Sequence, residues 1–366
     1  MKTAGKTLLL AWLLLMIIDF AMAQKPKITS AKTQEISATG GLRPAIDSLL
    51  EKQSGPLWIG YRIATAAKER SLCCFDRWND HRASGECCMG CRLESSKENS
   101  FTGTSSDCSS PEPLAYAFVL LRAESKQIQR VRVFTADCPL DFAGLPLYWL
   151  EDVKAEQSVD LLAELASKPD GETDSGRKPP QRQAVMAIAM HDTPAADQAL
   201  EKLMQRGQPL RTRENVAFWL GVERGKKGAD LLLKYGKDDP DDGFRRKVTF
   251  ALSQSKDPEA LPGLISMARN DPSPGVRSQA IFWLAQIGGR KEAEQITAAI
   301  ENDPETEVKK KAVFALSQMH DGDGVPLLIN LARTNKNPVV RKQAIFWLGQ
   351  SHDPRALDFL EEILTK

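Results

Sequence analysis

The chain has 366 residues, with 49 Lys and Arg against 48 Asp and Glu, four His, seven Cys and 42% hydrophobic residues. That length exceeds a usual single core, so two or more units are expected. The near-zero charge excludes a generic binder of nucleic acid, which needs clustered uncompensated cations, and the composition excludes collagen, a coiled coil and wholesale disorder.

Lys2 and Lys6 stand near the start, the apolar run Leu8–Ile18 follows, and Ala21-Met22-Ala23 precedes Gln24. That order of charge, apolar core and small-residue site predicts a signal peptide (residues 1–23) cleaved after Ala23. Asp19 interrupts the run short of the ~20 apolar residues of a spanning helix. An exported protein is therefore expected, periplasmic or extracellular, with no stable membrane span after cleavage.

Residues 24–40 are polar and are expected to form a flexible segment. Residues 41–153 read as a small α+β domain. Its expected elements are a short helix over Pro44–Lys52, a strand over Leu57–Ala64, a hairpin of Tyr116–Arg122 with Gln129–Phe134, and a strand over Leu145–Leu150. All seven cysteines fall here: Cys73, Cys74, Cys87, Cys88, Cys91, Cys108 and Cys138. In an exported chain such clustering favours disulfides, whose connectivity spacing does not fix. The odd count leaves at least one thiol free or paired with another chain. A zinc ribbon from Cys74, Cys88, Cys91 and Cys108 has the right spacing but is the weaker reading. A c-type haem would need His after the second Cys of the pair, where Arg92 stands.

Residues 154–180 read as a capping helix, Ser158–Ala166, and a linker from Ser167 to Pro180. The remainder, 181–366, repeats with a period of 32. One column holds Phe218, Phe250, Phe282, Phe314 and Phe346; another holds Leu220, Leu252, Leu284, Leu316 and Leu348. A third runs Leu200, Leu232, Leu264, Ile296, Leu328 and Leu360, and a fourth Ala184, Val216, Val248, Ala280, Ala312 and Ala344. Within a unit, Val276, Ala280, Trp283, Leu284 and Ile287 share one helical face. An Asp-Pro turn, as at Asp257-Pro258 and Asp353-Pro354, leads into a second helix. After each Leu of the first helix comes a small residue (Gly221, Ser253, Ala285, Ser317, Gly349), which lets neighbouring backbones approach. Before it, Trp219, Ala251, Trp283, Ala315 and Trp347 alternate large and small, so each Trp is expected to fill space beside an Ala of the adjacent repeat.

The expected fold is an α-solenoid, an α-α superhelix of about six 32-residue repeats, preceded by the disulfide-containing α+β domain. The residues Val276-Arg277…Ala280…Leu284 and Val340-Arg341…Ala344…Leu348, each followed by a turn into the second helix, resemble HEAT repeats. The resemblance is to the short HEAT-like type of phycobilisome lyases, and it implies a fold rather than an activity. Deoxyhypusine hydroxylase, a HEAT-repeat enzyme, holds iron through His-Glu pairs. The matching positions here include Glu214-Asn215, Arg246-Lys247, Ser278-Gln279, Lys310-Lys311 and Lys342-Gln343, so that chemistry does not carry over.

No recognised catalytic, cofactor or phosphate-binding motif appears, and no catalytic, cofactor-binding or metal residues are assigned. His191-Asp192, His320-Asp321 and His352-Asp353 fall in the turn between helices, where a sister repeat has Lys256-Asp257. The Asp is therefore expected to cap a helix and the His to be a solvated neighbour. The acids of Asp238–Asp242, and Asp321 and Asp323, are likewise expected to be caps rather than calcium ligands.

Phe282 lies two residues from Ala280, about 200° around the helix, so the five Phe face away from the second helices. They are expected either to pack sideways between first helices or to form a stripe that docks a protein or peptide. The expectation is a non-enzymatic interaction scaffold. Its alternative is a HEAT-repeat enzyme, thiol-based, lyase-like or oxidoreductase-like, with a site in or next to the Cys domain.

Overall fold

The computed structural model describes residues 25–66, 72–76, 91–94, 100–103, 115–136, 138–168 and 179–365. The expected signal peptide, most of the linker, and Cys87, Cys88 and Cys108 lie outside them. The chain divides into two compact units, the first ending at Gln157 and the second beginning at Ser158.

The strands of the first unit, in chain order, are β1 (Ile28–Thr29), β2 (Lys32–Ser37), β3 (Leu57–Ala64), β4 (Cys73–Asp76), β5 (Cys91–Arg92), β6 (Ser100–Gly103), β7 (Tyr116–Glu124), β8 (Gln127–Thr135), β9 (Leu140–Asp141) and β10 (Pro146–Glu151). Helix α1 (Leu42–Lys52) lies between β2 and β3. The main sheet runs β2-β10-β3-β7-β8, with β10 parallel to both its neighbours and β3, β7 and β8 antiparallel. β3 and β7 are apolar almost throughout and buried along most of their length, as central strands covered on both faces must be. Trp58, Phe118, Phe134, Phe142 and Trp149 gather in one core. Between β7 and β8, Ser125 (φ 51°) and Lys126 (φ 63°) form a two-residue turn with both residues left-handed, the geometry that matches strand twist.

The segment 24–40, expected to be flexible, instead supplies β1 and β2. Only Ile36 of β2 is even partly buried. This edge strand is held by backbone pairing to β10 and carries no hydrophobic alternation to announce it. β4 and β6 pair with each other in a region for which the sequence predicts no strand.

In the second unit, α2 (Ala155–Ser167) precedes six hairpins: α3 (Pro180–Met190) with α4 (Pro194–Met204), α5 (Leu210–Glu223) with α6 (Gly225–Gly236), α7 (Asp242–Gln254) with α8 (Ala260–Asn270), α9 (Pro274–Ile287) with α10 (Arg290–Asn302), α11 (Thr306–Ser317) with α12 (Gly324–Thr334), and α13 (Pro338–Gly349) with α14 (Pro354–Thr365). Each first helix packs on its own second helix and on the first helix of the next hairpin. The predicted columns form the buried seam: Val216, Val248, Ala280, Ala312 and Ala344 have no accessible surface, and Leu220, Leu252, Leu284, Leu316 and Leu348 at most 2%. Each buried Leu contributes about 1.5–3 kcal/mol, which a lone hairpin cannot collect.

The small column works as expected at Gly221. A Cβ there would lie 2.1 Å from the Ala251 carbonyl oxygen of the next first helix. At Gly349 a Cβ would meet nothing within 4 Å. Gly221→Ala should therefore cost about 1–3 kcal/mol by overpacking, whereas Gly349→Ala should change stability by no more than about 1 kcal/mol. Urea unfolding of the two variants checks the contrast; equal effects would contradict the packing.

Candidate functional site

The five Phe of the repeat are brought together with the three Trp that neighbour them in sequence. Phe218 stacks on Phe250 (5.9 Å, 18° between planes) and Phe282 on Phe314 (6.4 Å, 10°). Trp283 bridges Phe250 (4.7 Å) and Phe282 (5.0 Å), and Trp347 bridges Phe314 (4.9 Å) and Phe346 (5.0 Å). Trp219 joins at Phe218 (5.0 Å). Eight rings thus form an unbroken chain along five first helices. Trp283 and Trp347 each lean on the Phe of the preceding hairpin, Phe250 and Phe314, which stand next in sequence to fully buried Ala251 and Ala315. Phe218, Phe250, Phe282 and Phe314 are half-buried, and Phe346 is 52% exposed. The band both packs sideways and keeps one edge toward solvent.

A second ladder, of charge, runs along the same stack. Arg245 grips Asp271 through Nε (2.8 Å) and Nη2 (2.9 Å), while its Nη1 donates to the Asp239 carbonyl (2.6 Å). Arg277 repeats this 32 residues on, with Asp303 (2.7 and 3.0 Å) and the Asp271 carbonyl (2.9 Å). Arg213 pairs with Asp239 and donates to the Met204 carbonyl. All six side chains are buried. Hydrogen bonding to Asp271 and to Asp303 raises the guanidinium pKa of Arg245 and of Arg277 above its ordinary value. Each Asp also accepts the backbone N–H two residues on, at Asp241, Ser273 and Glu305. One rung departs from the rule. Where the cation is Lys309, the residue 26 positions later is Asn335, and Lys309 Nζ donates to the Glu301 carbonyl (2.9 Å). Sequence reasoning read Asp239 only as a cap and passed over the Arg column at the same period.

The three histidines of the turns part company. His320 and His352 are exposed, in keeping with solvated turn positions. His191, expected to be solvated too, is fully buried. Its Nδ1 donates to the Ala187 carbonyl (2.7 Å), which makes Nε2 the acceptor for the Ser158 hydroxyl of α2 (2.8 Å). Desolvation lowers its pKa to about 4, with a further push from nearby Arg224. Arg224 in turn donates to the His191 carbonyl (2.7 Å) and pairs with Asp197. Among the acids, Asp257 and Asp353 accept the N–H of Glu259 (3.0 Å) and Arg355 (2.9 Å), as caps do. Asp241 caps α7 at Phe244 (2.8 Å), and Asp242 accepts from the Ser273 hydroxyl (3.0 Å).

In the first unit, Cys73 and Cys138 form a disulfide across 65 residues, with Cα atoms 5.3 Å apart. Cys91 is disulfide-bonded as well, which removes it from the zinc set. Cys74 lies on β4. Glu94, just after β5, accepts from Trp58 Nε1 (2.9 Å), Arg122 Nε (2.9 Å) and Arg130 Nη2 (3.2 Å). This carboxylate ties the described part of the cysteine-rich segment to the sheet. Among the described residues no cluster of three or more His, Cys, Asp or Glu is placed to hold a metal.

Residues 210–285, 229–300 and 293–366 match the family described as HEAT repeats, so the C-terminal part of the chain is a HEAT-repeat stack. No curated protein matches. Among solved structures, human deoxyhypusine hydroxylase in complex with glycerol is 16% identical over 57% of this chain and 90% of that one, with a TM-score of 0.27. The CpcE–CpcF complex of phycocyanin lyase from a Nostoc species is 22% identical over 43% and 100%, with a TM-score of 0.32. Kap121p is 13% identical over 57% and 27%, with a TM-score of 0.37.

Two outcomes test this architecture. Asp303→Asn should cost about 3 kcal/mol, because it strips the carboxylate from a buried guanidinium. Adding Arg277→Lys recreates the Lys309–Asn335 combination and should recover most of the loss; a double-mutant cycle with additive effects would contradict the rung. For His191 the folded pKa, about 4, lies below the ordinary 6.5. Its contribution is therefore complete above pH 6.5 and is lost as pH falls toward 4, to a total of about 3 kcal/mol. Unfolding free energy measured from pH 7 to 4 should fall more steeply in the wild type than in His191→Gln.

Proposed function

We propose that the chain is an exported interaction scaffold whose HEAT-repeat stack docks a protein partner along the aromatic band of its first helices. The observation that carries the reading is the eight-ring chain itself. Full burial would make it an ordinary core, yet four of its Phe are only half-buried and Phe346 is exposed, in register over five hairpins. Aromatic surface that is rigid, pre-stacked and partly desolvated is what the central patches of interfaces are made of. The buried polar groups of the stack are committed to structure: the buried Arg pair with Asp, and His191 with Ser158. Export is supported by residues 1–23 of the sequence and by the Cys73–Cys138 disulfide, which suits an oxidising compartment.

Cross-linking and mass spectrometry on the intact protein in native envelope should place partner cross-links on the first helices, at Lys247, Lys310 or Lys342. The exported form should begin at Gln24. Reproducible cross-links confined to the second helices would overturn the proposed face. Phe346→Ser should weaken capture while costing less than about 1 kcal/mol, since Phe346 is mostly solvated. Phe282→Ser, between two ring partners, should lose about 1–3 kcal/mol as well.

A further inference from the structure

At the start of the aromatic band the surface is not neutral. A cleft of about 300 Å³ is lined by Arg182 of α3, Arg211, Glu214, Asn215 and Phe218 of α5, and Lys247 and Phe250 of α7. Three cations face a single acid in a chain whose charges otherwise balance. Elsewhere on the first helices Arg246 has Asp242 and Lys310 has Glu307 as local partners. Arg211 and Lys247 are exposed and meet no carboxylate among the described residues. The aromatic lining is the Phe218–Phe250 stack, and the Asn215 side chain is fixed by donation to the Arg182 carbonyl (2.9 Å).

We propose that this cleft binds a short acidic peptide segment of the partner, a carboxylate side chain lying between Arg211 and Lys247 and an apolar side chain resting on Phe218 and Phe250. The proposal rests on the scaffold reading and names the chemistry of its contact. The volume accommodates one or two side chains and lies at the low end for ligand sites. The pair is local: 32, 64, 96 and 128 residues after Arg211 stand Gly243, Gly275, Glu307 and Val339, and of the positions 32, 64 and 96 residues after Lys247 (Gln279, Lys311 and Gln343) only the second is a cation. A duplex or other long polyanion would need cations continuing along the stack, whereas a short segment needs only this pair. Opposed charge steers the encounter, and the desolvated rings retain the bound segment.

Fluorescence anisotropy tests it with three labelled hexapeptides and the full-length protein: four glutamates around two phenylalanines, four lysines around two phenylalanines, and six glutamates. The first should bind with an affinity that falls with salt, and the other two should bind at least about tenfold more weakly. Arg211→Glu with Lys247→Glu should weaken the first by about tenfold or more and leave the melting temperature unchanged, since both side chains are solvated. No binding of the first peptide, equal binding of the lysine peptide or of the six-glutamate peptide, or an undiminished double variant would overturn the proposal. If the double variant keeps the partner's cross-links at Lys310 and Lys342, the scaffold reading stands and only the cleft falls.

Discussion

The second unit depends on a constraint that acts between neighbouring hairpins. A 32-residue helical hairpin has an apolar face too large to leave wet and too small to bury by itself, so hairpins must stack. Apolar contact is indifferent to small slips, and the buried Arg–Asp rungs are not. Each guanidinium joins the carbonyl of its own leading turn to the carboxylate of the next hairpin's, a planar two-pronged fit that few other geometries satisfy. Burying such a pair adds little net stability, but mispairing it is expensive. The rungs therefore set register and spacing, and that spacing puts rings of adjacent helices at stacking distance.

The period, the two-helix unit and the buried Leu and Ala columns were legible because packing between identical units demands the same residue at the same place. The Phe column was legible for the same reason, although the closure of the band was not: Trp283 and Trp347 complete it only because each leans backward onto the previous hairpin. The Arg column was just as regular, yet charge at a fixed period reads as a solvated face until partners 26 residues apart are brought together. His191 shows the limit of column reasoning. It shares a turn with His320 and His352, but only His191 lies against α2, whose Ser158 lies outside the repeat.

In the first unit the central strands were plain from their apolar runs, and the hairpin from its turn. β2 escaped because its side chains are solvated and its stability lies in the backbone ladder to β10. β4 and β6 sit in sequence rich in polar residues; the Cys73–Cys138 bridge anchors β4, and Glu94 anchors the segment after β5. Neither device leaves a periodic trace. Cysteine clustering pointed to disulfides without revealing which cysteines pair.

Function follows from how the two ladders divide the chemistry. The charged ladder spends the strongest polar groups on architecture, and the aromatic one presents what is left: rings held rigid on one side and open on the other, with a basic cleft at one end. The most direct test is native-state hydrogen exchange resolved by helix. If the rungs couple the hairpins, α5, α7, α9 and α11 should exchange together as the most protected unit, and α13 with α14 should exchange first, since Lys309 and Asn335 stand where the rung between α11 and α13 would be. Helices that exchange independently, or a protection pattern indifferent to the rungs, would contradict the account.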